Sequence, residues 1–337
     1  MKTNVPSLDT TVSSGCHPLT ERILALPVDK FKTLVRQVRK NKAAAGGALE
    51  KKSSPLVAIR SLGMKLPLFL LHPVGGGVQP YFQLAEYLDN EQPVYALQNH
   101  EFGSHHEHPY TPIEKMAAEY IDAIRTVQHA GPYSLAGWSM GGIVAFEMAF
   151  QLRQQNHEVR SLIMIDAPAQ FASGRQLESP NKHLARGLVL LGKIWAHQKT
   201  KNFTVAQDEL EQLDADRQLD SFIRAVKVCE IVAPEADDAA LRAAIKTFIN
   251  NNRACENYVP KMYAGHLIVI RAMETQQETK QDTLPVFDDP SFGWQTYCTH
   301  TVTVRHVPGD HMFMMLEPHV QSLAAALQTS LDHPVTD

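Results

Sequence analysis

Cysteine is scarce in this sequence of 337 residues. Its four cysteines, Cys16, Cys229, Cys255 and Cys298, are widely spaced and form no Cys-x-x-Cys pair. This spacing argues against a disulfide framework and against a cysteine-based metal site, so we expect no bound metal. The pattern also fits a reducing compartment, and we expect the protein in the cytoplasm.

Long apolar runs and a strong charge of one sign are also lacking. No run is long enough for a membrane-spanning helix, and the first residues lack the apolar region of a signal peptide. The formal net charge is only −4, which gives no general attraction to nucleic acid. We therefore expect neither a membrane nor a nucleic acid as partner.

The segment 137–142, which reads Gly-Trp-Ser-Met-Gly-Gly, carries the clearest chemical signal. It follows the apolar run 133–136 and precedes the helical run 143–149, which predicts a strand, a sharp turn and a helix. A serine at the tip of such a turn is a nucleophile elbow, the mark of an α/β-hydrolase fold: a mostly parallel sheet flanked by helices. We predict that Ser139 is a nucleophile rather than an ordinary helix cap.

In this fold an acid and then a histidine follow the serine along the chain. Asp166 directly follows the apolar run 161–165, so we predict it at the carboxyl edge of the sheet. It could instead stabilise the turn that follows. Glu274, after a later apolar run, is the rival, because many α/β-hydrolases place their acid there. We prefer Asp166 because Glu274 opens a polar segment, 275–279.

A turn near the C-terminus supplies the expected base. The run 301–307 alternates as a strand, and a Pro-Gly-Asp-His turn follows it. The place of His311 in this turn predicts that it is the general base, whereas His306 lies within the strand. We interpret the neighbouring Asp310 as a turn-stabilising residue.

Two backbone N–H groups should hold the oxyanion that forms during acyl transfer. One is the amide of Met140, directly after the serine. We predict that Val74 supplies the other, because the glycine-rich loop 72–77 follows an early strand. Pro73 and Trp138 flank the site and are predicted to shape the acyl path, although Trp138 could simply pack beneath the turn. The loop lacks the glycine spacing and the Lys of a phosphate-binding loop.

Taken together, these motifs resemble the thioesterase domains of nonribosomal peptide and polyketide synthases, in the order found in that family. The resemblance covers about residues 55–331, and the thioesterases of fatty acid synthases share the motifs. In that family the acid follows the strand after the elbow helix, as Asp166 does. The matching segments are His72-Pro73-Val74-Gly75-Gly76, Gly137-Trp138-Ser139-Met140-Gly141-Gly142, Ile165-Asp166-Ala167-Pro168, Tyr258-Val259-Pro260 with Tyr263-Ala264-Gly265, and Gly309-Asp310-His311.

The resemblance implies a serine thioesterase of nonribosomal peptide, polyketide or antibiotic biosynthesis. An acyl, peptidyl or polyketide chain would pass from the phosphopantetheine arm of a carrier protein to Ser139, and no bound cofactor is implied. Release would follow by hydrolysis or by macrocyclisation. His311 would act as base, oriented by Asp166, and the amides of Val74 and Met140 would hold the oxyanion.

We assign residues 1–60 to an N-terminal extension with a disordered start. Apolar residues at helical spacing, with Lys and Arg between them, predict a basic amphipathic helix over 19–42, followed by a linker. This helix either packs on the enzyme body or docks an upstream synthase subunit or acidic carrier protein. No serine-containing carrier motif precedes the linker. If Met1 is the native start, we expect the carrier in trans.

We assign residues 61–332 to the thioesterase domain, with a helical lid insertion at about 170–257. Lids of this kind cover the acyl channel and exclude water. Four apolar residues of the interval could line that channel, although their helical spacing favours a core position. They are Leu188, Leu191, Ile194 and Trp195.

Three other functions stay open at this point. The same fold could carry a general carboxylesterase or a free-standing editing thioesterase that clears stalled carriers. The long N-terminal segment and the His-Pro-Val-Gly-Gly loop favour a product-releasing enzyme over an editing one. A non-catalytic binding protein is the third possibility, but such proteins usually lose a member of the triad, and none is missing here.

Overall fold

The computed structural model describes residues 54–100, 110–169, 179–274 and 288–335. The predicted disordered start and the predicted helix over 19–42 lie outside these residues. The described strands are β1 (Leu56–Arg60), β2 (Leu68–Leu71), β3 (Val94–Leu97), β4 (Tyr133–Trp138), β5 (Val159–Ile165), β6 (Ile268–Ala272) and β7 (Thr303–Val307). The α-helices are α1 (Pro80–Glu86), α2 (Ile113–Arg125), α3 (Met140–Gln154), α4 (Pro180–Gln198), α5 (Gln207–Glu211), α6 (Ala215–Val228), α7 (Asp238–Asn257) and α8 (His319–Asp332).

The strands form one sheet in the order β1-β3-β2-β4-β5-β6-β7. All neighbouring pairs are parallel except β1 and β3, which are antiparallel. This mostly parallel sheet flanked by helices confirms the predicted fold class. The sheet begins at Leu56, inside the range 1–60 that we assigned to the extension, because β1 adds its backbone hydrogen bonds to the edge strand β3.

Successive side chains of the central strands point to opposite faces of the sheet, which gives the body two hydrophobic cores. Phe69 and Leu71 of β2 join a core with α2 and α3, whereas Leu68 and Leu70 join a core with α1 and α8. All four residues of β2 are fully buried, as expected for a parallel strand with helices on both faces. The carboxyl ends of β2, β4 and β5 therefore meet at one protected edge.

Helices α4 to α7 lie between β5 and β6 and have a hydrophobic core of their own. Leu188 and Leu191 are buried in this core, and Ile194 and Trp195 pack against it. Leu188 and Leu191 thus occupy the core position that their helical spacing favoured, and Ile194 and Trp195 lie at its edge. Across the four described ranges, no helix combines the length and apolarity that a membrane crossing requires.

An ionic cluster joins the first and last helices of this insertion. Glu256 on α7 accepts hydrogen bonds from Arg186 (2.8 Å) and His183 (3.0 Å) of α4. Burial alone would raise the pKa of Glu256, but the hydrogen bonds and charges of His183 and Arg186 lower it by more. The net result is a pKa of about 2 instead of the ordinary 4.5. The carboxylate therefore stabilises the folded state above about pH 4.5, and that contribution is lost as the pH falls towards 2.

We expect Glu256→Gln to lower the free energy of unfolding at neutral pH by about 1–3 kcal/mol, because it weakens charge-assisted hydrogen bonds. The difference from wild type should narrow below about pH 4.5, as measured by urea unfolding over a pH series. Arg217→Gln is the matched control, since Arg217 pairs with Asp214 while both side chains are mostly exposed. If Glu256→Gln lowered the free energy of unfolding by the same amount at low pH, the stabilisation could not come from the ionised Glu256 carboxylate.

Candidate active site

Ser139 occupies the turn between β4 and α3 with a strained backbone, φ 57° and ψ −127°. A non-glycine residue with positive φ is costly and persists only where its surroundings fix it. Glycines on either side make the turn possible. A Cβ atom on Gly141 would lie 2.0 Å from the carbonyl oxygen of Leu71, and one on Gly137 would lie 2.1 Å from the Gly141 carbonyl. The first turn of α3 therefore sits directly against the end of β2.

Asp166 and His311, predicted from separate parts of the chain, form a hydrogen bond. Oδ2 of Asp166 lies 2.8 Å from Nδ1 of His311. The other carboxylate oxygen, Oδ1, accepts a hydrogen bond from the backbone amide of Ala272 at 2.9 Å. Asp166 is buried, whereas the side chain of His311 is 37% exposed. The carboxylate is thus held on one side by β6 and on the other by the imidazole.

The rival acid Glu274 lies beside the same turn but bonds elsewhere. Its backbone amide donates to the Gly309 carbonyl oxygen at 3.1 Å, and its Oε1 accepts from the Gly309 amide at 3.3 Å. This pairing ties the end of β6 to the loop after β7. Glu274 therefore supports the turn that carries His311, while Asp166 contacts the imidazole itself.

Trp138 lies beneath the histidine turn. Its Nε1 donates to the His311 carbonyl oxygen at 3.1 Å, and the two rings pack with centroids 5.3 Å apart. The residue is only 5% exposed. Its backbone amide donates to the hydroxyl of Tyr81, which in turn donates to the Leu71 carbonyl oxygen. Trp138 thus supports the turn that carries His311, and its predicted role in shaping the acyl path stays a prediction.

Asp310 anchors the turn that presents His311. Its Oδ1 accepts hydrogen bonds from the Met312 and Phe313 amides, both at 2.8 Å. Its Oδ2 lies 3.0 Å from Nε2 of His197, at the end of α4. Burial opposes the charge, but these partners lower the pKa of Asp310 below its ordinary 3.8. The interpretation of Asp310 as a turn residue agrees with these contacts, and His197 adds a link to the helical insertion.

The predicted oxyanion donors lie on segments that touch where α3 meets β2. Neither the Val74 amide nor the Met140 amide donates to a backbone carbonyl within the described ranges. The Val74 carbonyl oxygen accepts a hydrogen bond from Nδ2 of Asn251 on α7 at 2.8 Å. Nδ2 of Asn99 donates in turn to Oδ1 of Asn251 at 3.2 Å. Pro73 is buried, and its carbonyl oxygen accepts from the Gly76 amide at 2.9 Å.

Five residues that support the site lie outside the sequence motifs: Tyr81, His197, Asn251, Ala272 and, on α2, Tyr120. Each contacts the site through a hydrogen bond that joins distant parts of the chain. Burial of a polar side chain beside a motif would have identified Tyr81, Tyr120 and Asn251, but this burial is visible only in the fold. Ala272 acts through its backbone amide, and His197 is partly exposed, so neither carries that signal. In the described ranges no group of three or more His, Cys, Asp or Glu side chains could hold a metal.

Comparison with curated proteins finds synthetases. The chain is 30% identical over 300 residues to the chondramide synthase of Chondromyces crocatus, covering 87% of this chain and 7% of that protein. It is 31% identical over 227 residues to a dimodular nonribosomal peptide synthase of Bacillus subtilis (strain 168), covering 67% of this chain and 9% of that protein. The chain therefore spans less than a tenth of the length of these relatives.

Comparison with solved structures gives the same fold. A four-domain nonribosomal peptide synthetase bound to AMP and glycine matches with a TM-score of 0.72 and 25% identity, over 90% of this chain and 21% of that one. The NocB thioesterase domain, in covalent complex with a fluorophosphonate nocardicin G analogue, matches with a TM-score of 0.59 and 22% identity, over 82% of this chain and 99% of that one. Residues 66–331 match the family model described as "Thioesterase domain", and the chain belongs to this thioesterase family, whose relatives include nonribosomal peptide synthetases.

Proposed function

We propose that this chain is a serine thioesterase that takes an acyl, peptidyl or polyketide chain from a phosphopantetheine carrier onto Ser139. It then releases the chain by hydrolysis or by macrocyclisation. The partner is a carrier protein or an upstream synthase subunit. Docking through the helix predicted over 19–42 stays a prediction, since that segment lies outside the described residues.

In the acylation step, Nε2 of His311 takes the proton of the Ser139 hydroxyl as Oγ attacks the thioester carbonyl carbon. The carbonyl oxygen becomes an oxyanion, which the amides of Val74 and Met140 stabilise by about 3 kcal/mol each. Asp166 holds the imidazole with its hydrogen on Nδ1 and stabilises the imidazolium. When the carbon–sulfur bond breaks, the imidazolium returns its proton to the departing thiolate.

In the release step, the same groups act on the acyl-serine ester. Water, or a hydroxyl or amine of the bound chain, gives its proton to His311 and attacks the carbonyl carbon. The bond to Ser139 Oγ then breaks, and Oγ recovers the proton. Helices α4 to α7 stand next to the site through Asn251 and His197, so their shape is proposed to decide whether water reaches the ester.

The observation that carries this proposal is the hydrogen bond between Asp166 and His311 beside the strained Ser139 turn. A buried carboxylate with one oxygen on a backbone amide and the other on a partly exposed imidazole is the arrangement that a serine nucleophile needs. The covalent fluorophosphonate complex of the NocB thioesterase domain supports it, because that relative forms a covalent adduct on the same fold.

We expect a pantetheine thioester to be a far better substrate than the oxygen ester of the same acyl group. A panel of matched thioesters and oxygen esters, followed by intact-protein mass of the acyl-enzyme, measures this preference. A strong preference for simple oxygen esters would indicate a carboxylesterase instead. Rapid hydrolysis of an acetyl-carrier, with no processing of long chains, would indicate an editing enzyme.

The mass of the released product separates the two modes of release. A product lighter by one water than the free acid shows macrocyclisation, and the free acid shows hydrolysis. Both outcomes are compatible with an acyl-serine intermediate. A protein that forms no acyl adduct with any pantetheine thioester would refute the proposed function.

A further inference from the structure

The peptide group between Pro73 and Val74 carries the predicted second oxyanion donor. Its carbonyl oxygen accepts two hydrogen bonds, from the Gly76 amide at 2.9 Å and from Nδ1 of His72 at 2.8 Å. In a planar trans peptide the C=O and N–H bonds point in opposite directions. Whatever holds the Pro73 carbonyl therefore also sets the direction of the Val74 N–H.

The proton position on His72 follows from its partners. A carbonyl oxygen only accepts hydrogen bonds, so Nδ1 of His72 must carry a hydrogen. His72 is fully buried, and this burial lowers the pKa of the imidazole to about 4, so the ring is neutral at pH 7. A neutral ring has one N–H, which leaves Nε2 as an acceptor. Nε2 lies 2.7 Å from the hydroxyl of Tyr120, which donates to it.

Tyr120 reaches this position from a rigid part of the fold. It lies on α2, is 1% exposed, and meets the His72 ring edge-on at a centroid distance of 5.8 Å. The two residues are 48 positions apart in the chain. Neither side chain reaches the reacting atoms in the proposed mechanism. Their hydrogen bonds run from the core to the back of the Pro73–Val74 peptide.

We propose that Tyr120 and His72 are positioning residues that hold the oxyanion hole in its active orientation. The Pro73 carbonyl fixes the hydrogen on Nδ1, and the Tyr120 hydroxyl, which donates to Nε2, holds the ring in place. His72 then holds the Pro73 carbonyl so that the Val74 N–H faces the acyl oxygen. With the other tautomer, a lone pair on Nδ1 would face the carbonyl oxygen and repel it. This inference rests on the proposed function and deepens it.

Tyr120→Phe tests the proposal, because it removes the hydroxyl and keeps the ring. We expect kcat for a pantetheine thioester to fall about 10- to 100-fold with KM little changed, less than the full loss of an oxyanion donor, since the Gly76 amide still holds the carbonyl. Affinity for a trifluoromethyl ketone analogue, which forms an oxyanion with Ser139, should weaken by a similar factor. A merely structural role would not link these two losses.

Tyr133→Phe is the matched control. Tyr133 is a buried tyrosine in the same core and lies at the start of β4, away from Ser139. Its hydroxyl donates to the Gln128 carbonyl oxygen. Its loss should leave kcat and inhibitor affinity near wild type. If kcat and inhibitor affinity of Tyr120→Phe stayed as near to wild type as those of Tyr133→Phe, the inference would be overturned. Thioester turnover by the wild type would still support the proposed function.

His72→Asn gives a second, independent test. The Asn amide nitrogen can donate to the Pro73 carbonyl from near the position of Nδ1, but the side chain has no counterpart of Nε2 for Tyr120 to hold. We expect Tyr120→Phe to lower kcat much less in the His72→Asn background than in the wild-type background, because Tyr120 acts through Nε2 of His72. Additive losses in this double-mutant cycle would show that the two residues act separately, against the proposal.

Discussion

Replacement of Ser139 by alanine is expected to lower thioester turnover by about five to six orders of magnitude, the loss typical of a serine nucleophile. Alanine keeps the Cβ atom, so the strained φ of 57° costs the same in both proteins and the fold should be retained. The variant should form no acyl adduct in intact-protein mass spectra. It should still bind the carrier, because the surrounding surface is unchanged.

Ser161→Ala provides the matched control for this experiment. Ser161 lies in β5, is 3% exposed, and its hydroxyl has no hydrogen-bond partner in the part of the chain that the structure describes. The same substitution there should leave acyl-enzyme formation and turnover near wild type. Full product release by the Ser139→Ala variant would instead support a non-catalytic role for this chain.

The sequence pattern predicted the fold well because short, mostly apolar strands leave few alternatives. The runs that became β2 and β4 are buried along their whole length, and such runs belong to a parallel sheet covered on both faces. The edge strand β1 was harder to predict. Ala58 is exposed and the other four residues are only partly buried, so the burial pattern of this strand is weak and its place in the sheet is shown by backbone pairing with β3.

The residues of the candidate site also differ in whether their neighbours in sequence or only the folded structure identifies them. Gly137 could be identified from a motif because its missing side chain is a local requirement of the turn: a Cβ atom there would clash with the carbonyl group of Gly141. By contrast, Asn251 and Tyr120 reach the loop 72–77 from helices elsewhere in the chain, and their own neighbours in sequence carry no motif. The contact of the Trp138 ring with His311 is likewise a tertiary feature that its place in the motif does not predict.

Asp166→Asn is expected to reduce kcat about 10⁴-fold, the cost of presenting the wrong histidine tautomer. The Ala272 amide donates to Oδ1 of Asp166, so the amide oxygen of asparagine should keep that place. The amide nitrogen would then face Nδ1 of His311 and donate to it. This forces the imidazole hydrogen onto Nε2, which can no longer accept the Ser139 proton. Pre-steady-state acylation with a pantetheine thioester measures the loss.

Glu274→Gln decides whether this loss belongs to the catalytic acid or to any carboxylate near the turn. Glu274 holds the Gly309 amide, and the glutamine amide oxygen can accept the same hydrogen bond. We expect its kcat to stay within about tenfold of wild type, since a neutral acceptor replaces a charged one at a turn that Asp310 also fixes. If the Glu274 variant lost activity as Asp166→Asn should, while the Asp166 variant did not, the acid would lie after β6. The hydrogen bond between Asp166 and His311 would then be structural.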